Sequence, residues 1–159
     1  MATFKDYLEN NSLLILHGAL GTEMEALGYD ISGKLWSAKY LLEKSEVIQE
    51  LHETYVAAGA DLITTSSYQA TLPGLVEAGL TEKAAEQIIA LTVRLAKAAR
   101  DKVWGALDET EKAKRPYPLI SGDVGPYAAY LANGSEYSGD YGQITIKELK
   151  DFHRPRIQI

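Results

Sequence analysis

The chain has 159 residues, of which 46% are hydrophobic and 24% charged, a balance typical of a globular domain with a sizeable core. The net charge of −6 argues against a nucleic-acid partner, which would need a basic patch, and against attraction to an anionic membrane. The absence of cysteine excludes disulfides, a thiolate nucleophile and a cysteine-ligated metal within these residues. No apolar run could span a bilayer, and residues 1–11 are typical of a short amphipathic helix rather than a signal peptide. We therefore expect a cytoplasmic protein.

The first half of the chain alternates between strand and helix patterns. Residues 13–16 are a short apolar run, typical of a buried strand in a parallel sheet. Ser45 is a candidate cap for an amphipathic helix that should end at Gly59. Residues 61–65 form a second candidate strand, and residues 66–71 form the loop that follows it.

The alternation continues in the second half. Thr81 should cap a long helix, because apolar residues recur at helical spacing through residues 88–99. A charged, turn-like stretch over residues 108–115 leads to a third candidate strand at residues 119–121. This order predicts βαβ units, a parallel sheet and one domain over residues 1–159, with no second domain. Three units are too few for a closed (β/α)8 barrel, which needs about 250 residues.

A long segment rich in glycine and tyrosine begins at Gly122, and its later part looks like a folded flap. Thr145 and Glu148 then form a Thr-x-x-Glu capping box, which predicts a helix start. Pro155 should kink or end that helix.

The predicted functional side is the edge where the strands have their carboxyl ends, because (β/α) proteins place their active sites there. The loops that begin at His17, Ser66 and Gly122 occupy this position and are rich in glycine, serine, threonine and aspartate. These residue types also make ordinary turns, so the composition alone leaves both interpretations open.

Several residues in these loops have the chemistry to hold a small polar ligand. A neutral His17 could accept one hydrogen bond, or could simply pack at the end of its strand. Thr65, Ser67 and Tyr68 offer hydroxyls suited to the two ends of an amino acid, or could be core groups with satisfied hydroxyls. Asp123 could contact a ligand or could stabilise its own turn.

Other polar residues favour simpler interpretations. Gly18 and Gly21 would let backbone amides approach an anion, and a phosphate-binding barrel enzyme is therefore a further hypothesis, although no lysine follows them. His52 and His153 are interpreted as structural, and no metal-binding or nucleophile motif is present.

Five segments together resemble the homocysteine S-methyltransferase family. They are residues 16–23, 35–38, 64–70 and 125–141, and the run His153-Arg154-Pro155-Arg156. The resemblance implies a (β/α)8 TIM-barrel fold, of which this chain would supply the first three βα units with parallel strands. It departs from the family at His17, where Asp is usual, and at Asp123, where Ser is more frequent.

The resemblance also implies an activity, namely methyl transfer to the thiol of L-homocysteine from S-methylmethionine or S-adenosylmethionine, giving methionine. In the family, zinc on three cysteines activates the thiol, and those cysteines lie in a later part of a longer chain. We therefore expect no zinc on this chain and assign it no catalytic residue. The resemblance implies a set of substrate-binding positions, which are His17, Gly18, Ala19, Glu23, Thr65, Ser67, Tyr68, Asp123 and Gly125.

These expectations describe an incomplete barrel. The chain would be the N-terminal part of a homocysteine-binding barrel domain and inactive by itself. Open sheet edges would favour a homo-oligomer or association with the missing barrel half. The alternative is a non-catalytic partial-barrel module that binds an amino acid or serves only in assembly.

Overall fold

The computed structural model describes residues 4–10 and 13–159, in which helices pack around a small parallel sheet. The helices before the sheet are α1 (Phe4–Asn10), α2 (Leu20–Ala26), a 3-10 helix (Trp36–Lys39), α3 (Tyr40–Glu43) and α4 (Ser45–Ala57). The elements that follow are β1 (Leu62–Thr64), α5 (Leu72–Glu77), α6 (Glu82–Ala106), α7 (Glu109–Lys112), β2 (Leu119–Ser121), α8 (Tyr127–Leu131), α9 (Ser135–Ser138) and α10 (Ile146–Gln158). The predicted α/β class is confirmed, and the amphipathic helix expected over residues 1–11 is present as α1, its remaining positions lying outside the described residues.

The sheet consists of β1 and β2 in parallel register, with Leu62 opposite Leu119 and Thr64 opposite Ser121. The strand predicted over residues 13–16 is present only as an isolated parallel bridge from Leu16 to Leu62. It stays short because the Ile15 carbonyl accepts from the amides of both Asp61 and Leu62, and the backbone pairing ends with the bond from the His17 amide to the Leu62 carbonyl. The two other predicted strands are confirmed within their predicted ranges.

The long helices begin where the sequence predicts. The Thr81 hydroxyl accepts from the Ala84 amide at the start of α6, and Thr145 and Glu148 form the full capping box of α10. The prediction for Ser45 was wrong in detail, because Ser45 is the first residue of α4 and makes no side-chain cap bond. Beyond α4, Gly59 takes a φ of 107°, which explains a glycine at that exit.

Pro155 does not end α10, which continues to Gln158. Only the final turn of the helix lies beyond the proline. The sequence also gave no signal for several short helices, among them α5, α8 and α9, because one or two turns are too few to establish a helical period.

The core lies between the sheet and the long helices. Ile63 of β1 is fully buried, and α4 packs along α6 with Ile48 and Leu51 on its inner face. Leu62 and Leu119, on the opposite face of the sheet, are only partly covered. Within the described ranges, no helix combines the length and the apolar character needed to cross a membrane.

Candidate functional site

The three predicted loops meet at one cavity at the carboxyl ends of the strands. The cavity has a volume of about 540 Å³, and His17, Ser66 and Asp123 line it, one from each loop. The predicted positions that line it are His17, Gly18, Ala19, Thr65, Tyr68 and Asp123. The predicted positions that do not line it are Glu23, Ser67 and Gly125. The fold therefore brings the three loops together, as the parallel order of the strands requires.

His17 lies on the floor of the cavity, where its Nε2 is 2.6 Å from the Thr64 hydroxyl. Its Nδ1 is buried and has no hydrogen-bond partner among the described residues. Burial lowers the pKa of His17 below the ordinary value of about 6.5. A neutral imidazole that donates to Thr64 leaves Nδ1 as an acceptor.

His52 lies beneath His17, with the two ring centroids 6.3 Å apart in an edge-on arrangement. It is fully buried, and neither ring nitrogen has a partner in the part of the chain that the structure describes. Burial, with a smaller contribution from His17, lowers the pKa of His52 to about 4. His52 does not line the cavity, which agrees with its interpretation as a structural residue.

Gly18 is required by the close approach of Tyr55 from α4. A Cβ on Gly18 would lie 2.7 Å from Cε1 of the Tyr55 ring, closer than real Cβ contacts. The Tyr55 hydroxyl donates to the Ala19 carbonyl at 3.1 Å. The Tyr55 ring therefore packs against the first loop, a contact between segments 36 positions apart that no local pattern predicts.

A hydrogen-bond network joins the loops that follow β1 and β2. The hydroxyls of Thr65 and Ser67 are 2.6 Å apart, and Ser67 donates to the Asp123 carbonyl at 2.7 Å. The Asp123 amide donates to the Thr65 hydroxyl at 2.9 Å. Thr65 and Ser67 thus hold the loops after β1 and β2 together through hydrogen bonds within the protein. Beside them, the Ser66 hydroxyl is buried and has no partner among residues 4–10 and 13–159.

Arg156 of α10 lies behind the cavity wall, at a position that the sequence patterns do not single out. It is only 6% exposed, and its guanidinium donates to the carbonyl oxygens of Tyr68 at 3.2 Å and Gly125 at 2.6 Å. Its Nη2 is also 3.2 Å from Nδ1 of His153. The one signal in the sequence is the His-Arg-Pro-Arg run, in which only His153 was assigned a role, that of a structural residue.

Aromatic and acidic side chains surround the cavity mouth. The Tyr68 hydroxyl donates to Glu136 at 3.3 Å, and Tyr137 is 85% exposed beside it. Trp36 lines the opposite side with a φ of 46°, which is uncommon for a non-glycine residue. The carboxylates at the cavity are those of Glu25, Asp123 and Glu136, and no lysine or arginine lines it in the described part of the chain. This lining favours a ligand that carries positive charge.

The charge of Asp123 reflects two opposing influences. Burial raises the pKa of the Asp123 carboxyl, while the nearby positive charge of Arg156 lowers that pKa. Burial is the larger of the two influences, so the pKa of Asp123 lies above its ordinary value. A ligand ammonium group beside Asp123 would favour the charged carboxylate.

The residues present do not fit a metal centre. Cysteine is absent from the chain, and within residues 4–10 and 13–159 no group of three or more histidine, aspartate or glutamate side chains could hold a metal ion. Of the described histidines only His17 lines the cavity, so a metal ion there would have a single imidazole ligand.

The fold and the cavity define the class of protein first. Polar loops at the carboxyl ends of parallel strands, enclosing one cavity, are the arrangement of an α/β protein that binds a small molecule.

Comparison with known proteins makes this class specific. A family model described as homocysteine S-methyltransferase matches residues 14–159. Homocysteine S-methyltransferase YbgG of Bacillus subtilis (strain 168) is 44% identical over 158 residues, which are 99% of this chain and 49% of that protein. Homocysteine S-methyltransferase 1 of Zea mays is 44% identical over 91% of this chain and 45% of its own length.

A solved structure supports the same assignment. The metallated form of the homocysteine methyltransferase MmuM from Escherichia coli superposes with a TM-score of 0.80 at 43% identity, covering 95% of this chain and 50% of MmuM. The chain belongs to the homocysteine S-methyltransferase family, and the resemblance found in the sequence is confirmed. The chain spans about half the length of the curated relatives that it matches.

Proposed function

We propose that the cavity is the amino-acid pocket of a homocysteine S-methyltransferase, in which L-homocysteine accepts a methyl group and becomes methionine. The observation that carries the proposal is the convergence of the three strand-end loops on one cavity of about 540 Å³ in a chain of this family. A volume of this size accommodates an amino acid with a short side chain and part of a second ligand.

In this proposal the predicted positions divide into two groups. His17, Thr65, Tyr68 and Asp123 face the ligand, together with the backbone of Gly18 and Ala19. Asp123 would accept a hydrogen bond from the substrate ammonium, and the His17 ring would contact the ligand from the cavity lining. Ser67 and Gly125 lie outside the cavity lining and form hydrogen bonds that hold the loops in place. Glu23 also lies outside the lining, in the first turn of α2.

The proposed methyl donor is a sulfonium compound, either S-methylmethionine or S-adenosylmethionine. The aromatic rings of Tyr68 and Tyr137 and the carboxylate of Glu136 at the mouth support this choice, because a sulfonium cation is attracted both to aromatic faces and to anions. The same surroundings disfavour a polyphosphate ligand, which counts against the phosphate-binding hypothesis raised by Gly18 and Gly21.

We include zinc in the proposal only as a property of the family. The residues of this chain that the structure describes do not fit a metal ion, and none is assigned to zinc. What these residues supply is binding and orientation of the amino acid. The second candidate function is a non-catalytic module that binds an amino acid or serves in assembly.

We propose that residues 1–159 are the N-terminal part of one (β/α)8 barrel domain, which the coverage of half of MmuM supports. We also propose that the partly covered face of the sheet associates with a second copy or with a complementary barrel half. The cytoplasmic location stays a prediction from composition.

Calorimetry with L-homocysteine and L-methionine, without zinc and under reducing conditions, tests the pocket. We expect saturable binding that Asp123→Asn weakens about tenfold, as expected for the loss of one charge-assisted contact. Asp140→Asn, at an exposed aspartate that does not line the cavity, is the matched control and should bind like wild type. Absence of binding by wild type would reject the pocket, and methyl transfer by the purified chain would reject the non-catalytic alternative.

A further inference from the structure

Arg156 is a buried cation without a paired anion. Among the residues that the structure describes, no ion pair joins it to a carboxylate, although Asp123 acts on it through a longer-range Coulomb interaction. An isolated buried charge is costly unless hydrogen bonds surround it. Here backbone carbonyl oxygens supply those bonds, because Nη1 donates to Tyr68 and, at 3.4 Å, to Ser67, while Nη2 donates to Gly125.

These carbonyls belong to two different loops. Ser67 and Tyr68 follow β1, whereas Gly125 follows β2, so the planar guanidinium bridges the two segments. The same two loops are also joined by the hydrogen bond from the Asp123 amide to the Thr65 hydroxyl. Tyr68 and Asp123, which line the cavity, therefore sit on loops held by both sets of hydrogen bonds.

We propose that Arg156 is a positioning residue that sets the geometry of the cavity wall by clamping the loops after β1 and β2, and that its positive charge acts on the Asp123 side chain at the same wall, where a ligand ammonium would bind. The second part, which concerns the ligand, rests on the proposed function. The first part concerns only the loops and stands independently of it.

The two parts of the proposal can be tested separately, because a lysine replaces the positive charge of Arg156 but not the paired N–H donors of its planar guanidinium. A lysine ammonium is a compact point charge that cannot hold the Tyr68 and Gly125 carbonyls in one plane. Arg156→Lys therefore keeps the positive charge near Asp123 and loses the bridge. Arg156→Met removes both.

The experiment compares these two variants in the 159-residue chain with Arg154→Met as the matched control. Arg154 lies on the same helix but is exposed, and it pairs with Asp151. Amide hydrogen exchange is measured in residues 65–70 and 122–126, with α6 as the internal reference, and the Asp123 carboxyl is titrated by NMR.

We expect both Arg156 variants to exchange about tenfold faster in the two loops while α6 stays protected. The pKa of Asp123 should rise in Arg156→Met, because a positive charge that lowers it is gone, and should stay near the wild-type value in Arg156→Lys. Arg154→Met should change neither quantity.

Two results would overturn the proposal. Unchanged loop exchange in both variants would show that Arg156 does not hold the two loops in place. Equal loss of protection in α6, or unfolding of both variants, would show that Arg156 stabilises the whole fold and not these loops in particular. If wild type fails to bind L-homocysteine, the proposed function fails, while loop exchange still tests the clamp and the Asp123 titration still tests the effect of the charge.

Discussion

Gly125 lies directly against Tyr68, so that a Cβ on Gly125 would collide with the Tyr68 carbonyl oxygen and lie 3.0 Å from Cγ of the ring. The contact joins the loop after β2 to the loop after β1 at the wall of the cavity. It explains why the position must be glycine without any appeal to backbone conformation. The structural reason is the distance between two chain segments.

Gly125→Ala should therefore destabilise the fold. We expect the free energy of unfolding to fall by about 1–3 kcal/mol, because an added methyl group in a filled space forces the backbone to shift. Gly122→Ala is the control, since a Cβ there meets nothing within 4 Å. Chemical denaturation of the two variants is the measurement, and equal stability of both would contradict the close contact.

Thr65→Val tests the hydrogen-bond network between the loops. The substitution keeps the shape of the side chain but leaves the Asp123 amide without its acceptor and removes one of the two hydrogen bonds of the Ser67 hydroxyl. We expect a loss of about 1–3 kcal/mol in the free energy of unfolding. Thr22→Val, at an exposed threonine, should lie within about 0.5 kcal/mol of wild type. If thermal or denaturant unfolding shows the same small effect for both, the network does not stabilise the loops.

The buried His52 predicts a loss of stability in acid. Its pKa is about 4 in the fold and about 6.5 in the unfolded chain, so between these values the unfolded chain binds more protons. The free energy of unfolding should therefore fall as the pH falls through this window, by about 2 kcal/mol from pH 7 to pH 5 for this residue.

His52→Leu checks this pH dependence, because it removes the titrating group and both unpartnered nitrogens. We expect the variant to lose much less stability than wild type between pH 7 and pH 5. His153→Gln, which removes a less buried histidine, is the comparison. An unchanged slope in His52→Leu, measured by denaturation at each pH, would assign the acid sensitivity to other groups.

The exposed apolar residues beside β1 predict self-association. Leu13 is 64% exposed and Ile15 52% exposed in the segment that pairs with β1. Light scattering should find an assembly that Leu13→Glu weakens, because the charge would have to be buried at the contact. Leu27→Glu is the control, since Leu27 is 58% exposed at the end of α2. A folded wild-type monomer is the outcome that rules this out.

Zinc content provides a simple measurement on the purified chain. The absence of cysteine and of a suitable cluster among residues 4–10 and 13–159 leads us to expect no stoichiometric zinc. Competition with a chromophoric chelator measures it, and EDTA treatment should leave the thermal unfolding midpoint unchanged. Tight binding of one zinc ion per chain would show that this expectation is wrong.

Local patterns were sufficient to predict the long elements. The spacing of apolar residues and the cap at Thr81 predicted α6, and the Thr145–Glu148 pair predicted the start of α10, because these signals act within one or two turns of the same segment. The alternation of strands and helices also predicted a parallel sheet with the polar loops on one edge. That prediction is geometric and needs only the direction of the strands.

The sequence by itself thus determined the class of fold, the family and the edge where the cavity lies. Only the tertiary structure decided which side chains contact one another at that edge of the sheet. Arg156 reaches carbonyls 88 and 31 positions earlier in the chain, and His17 meets Thr64 across 47 positions. Contacts of this kind depend on how whole elements pack, and a periodic pattern within one segment carries no information about the partner that another segment brings.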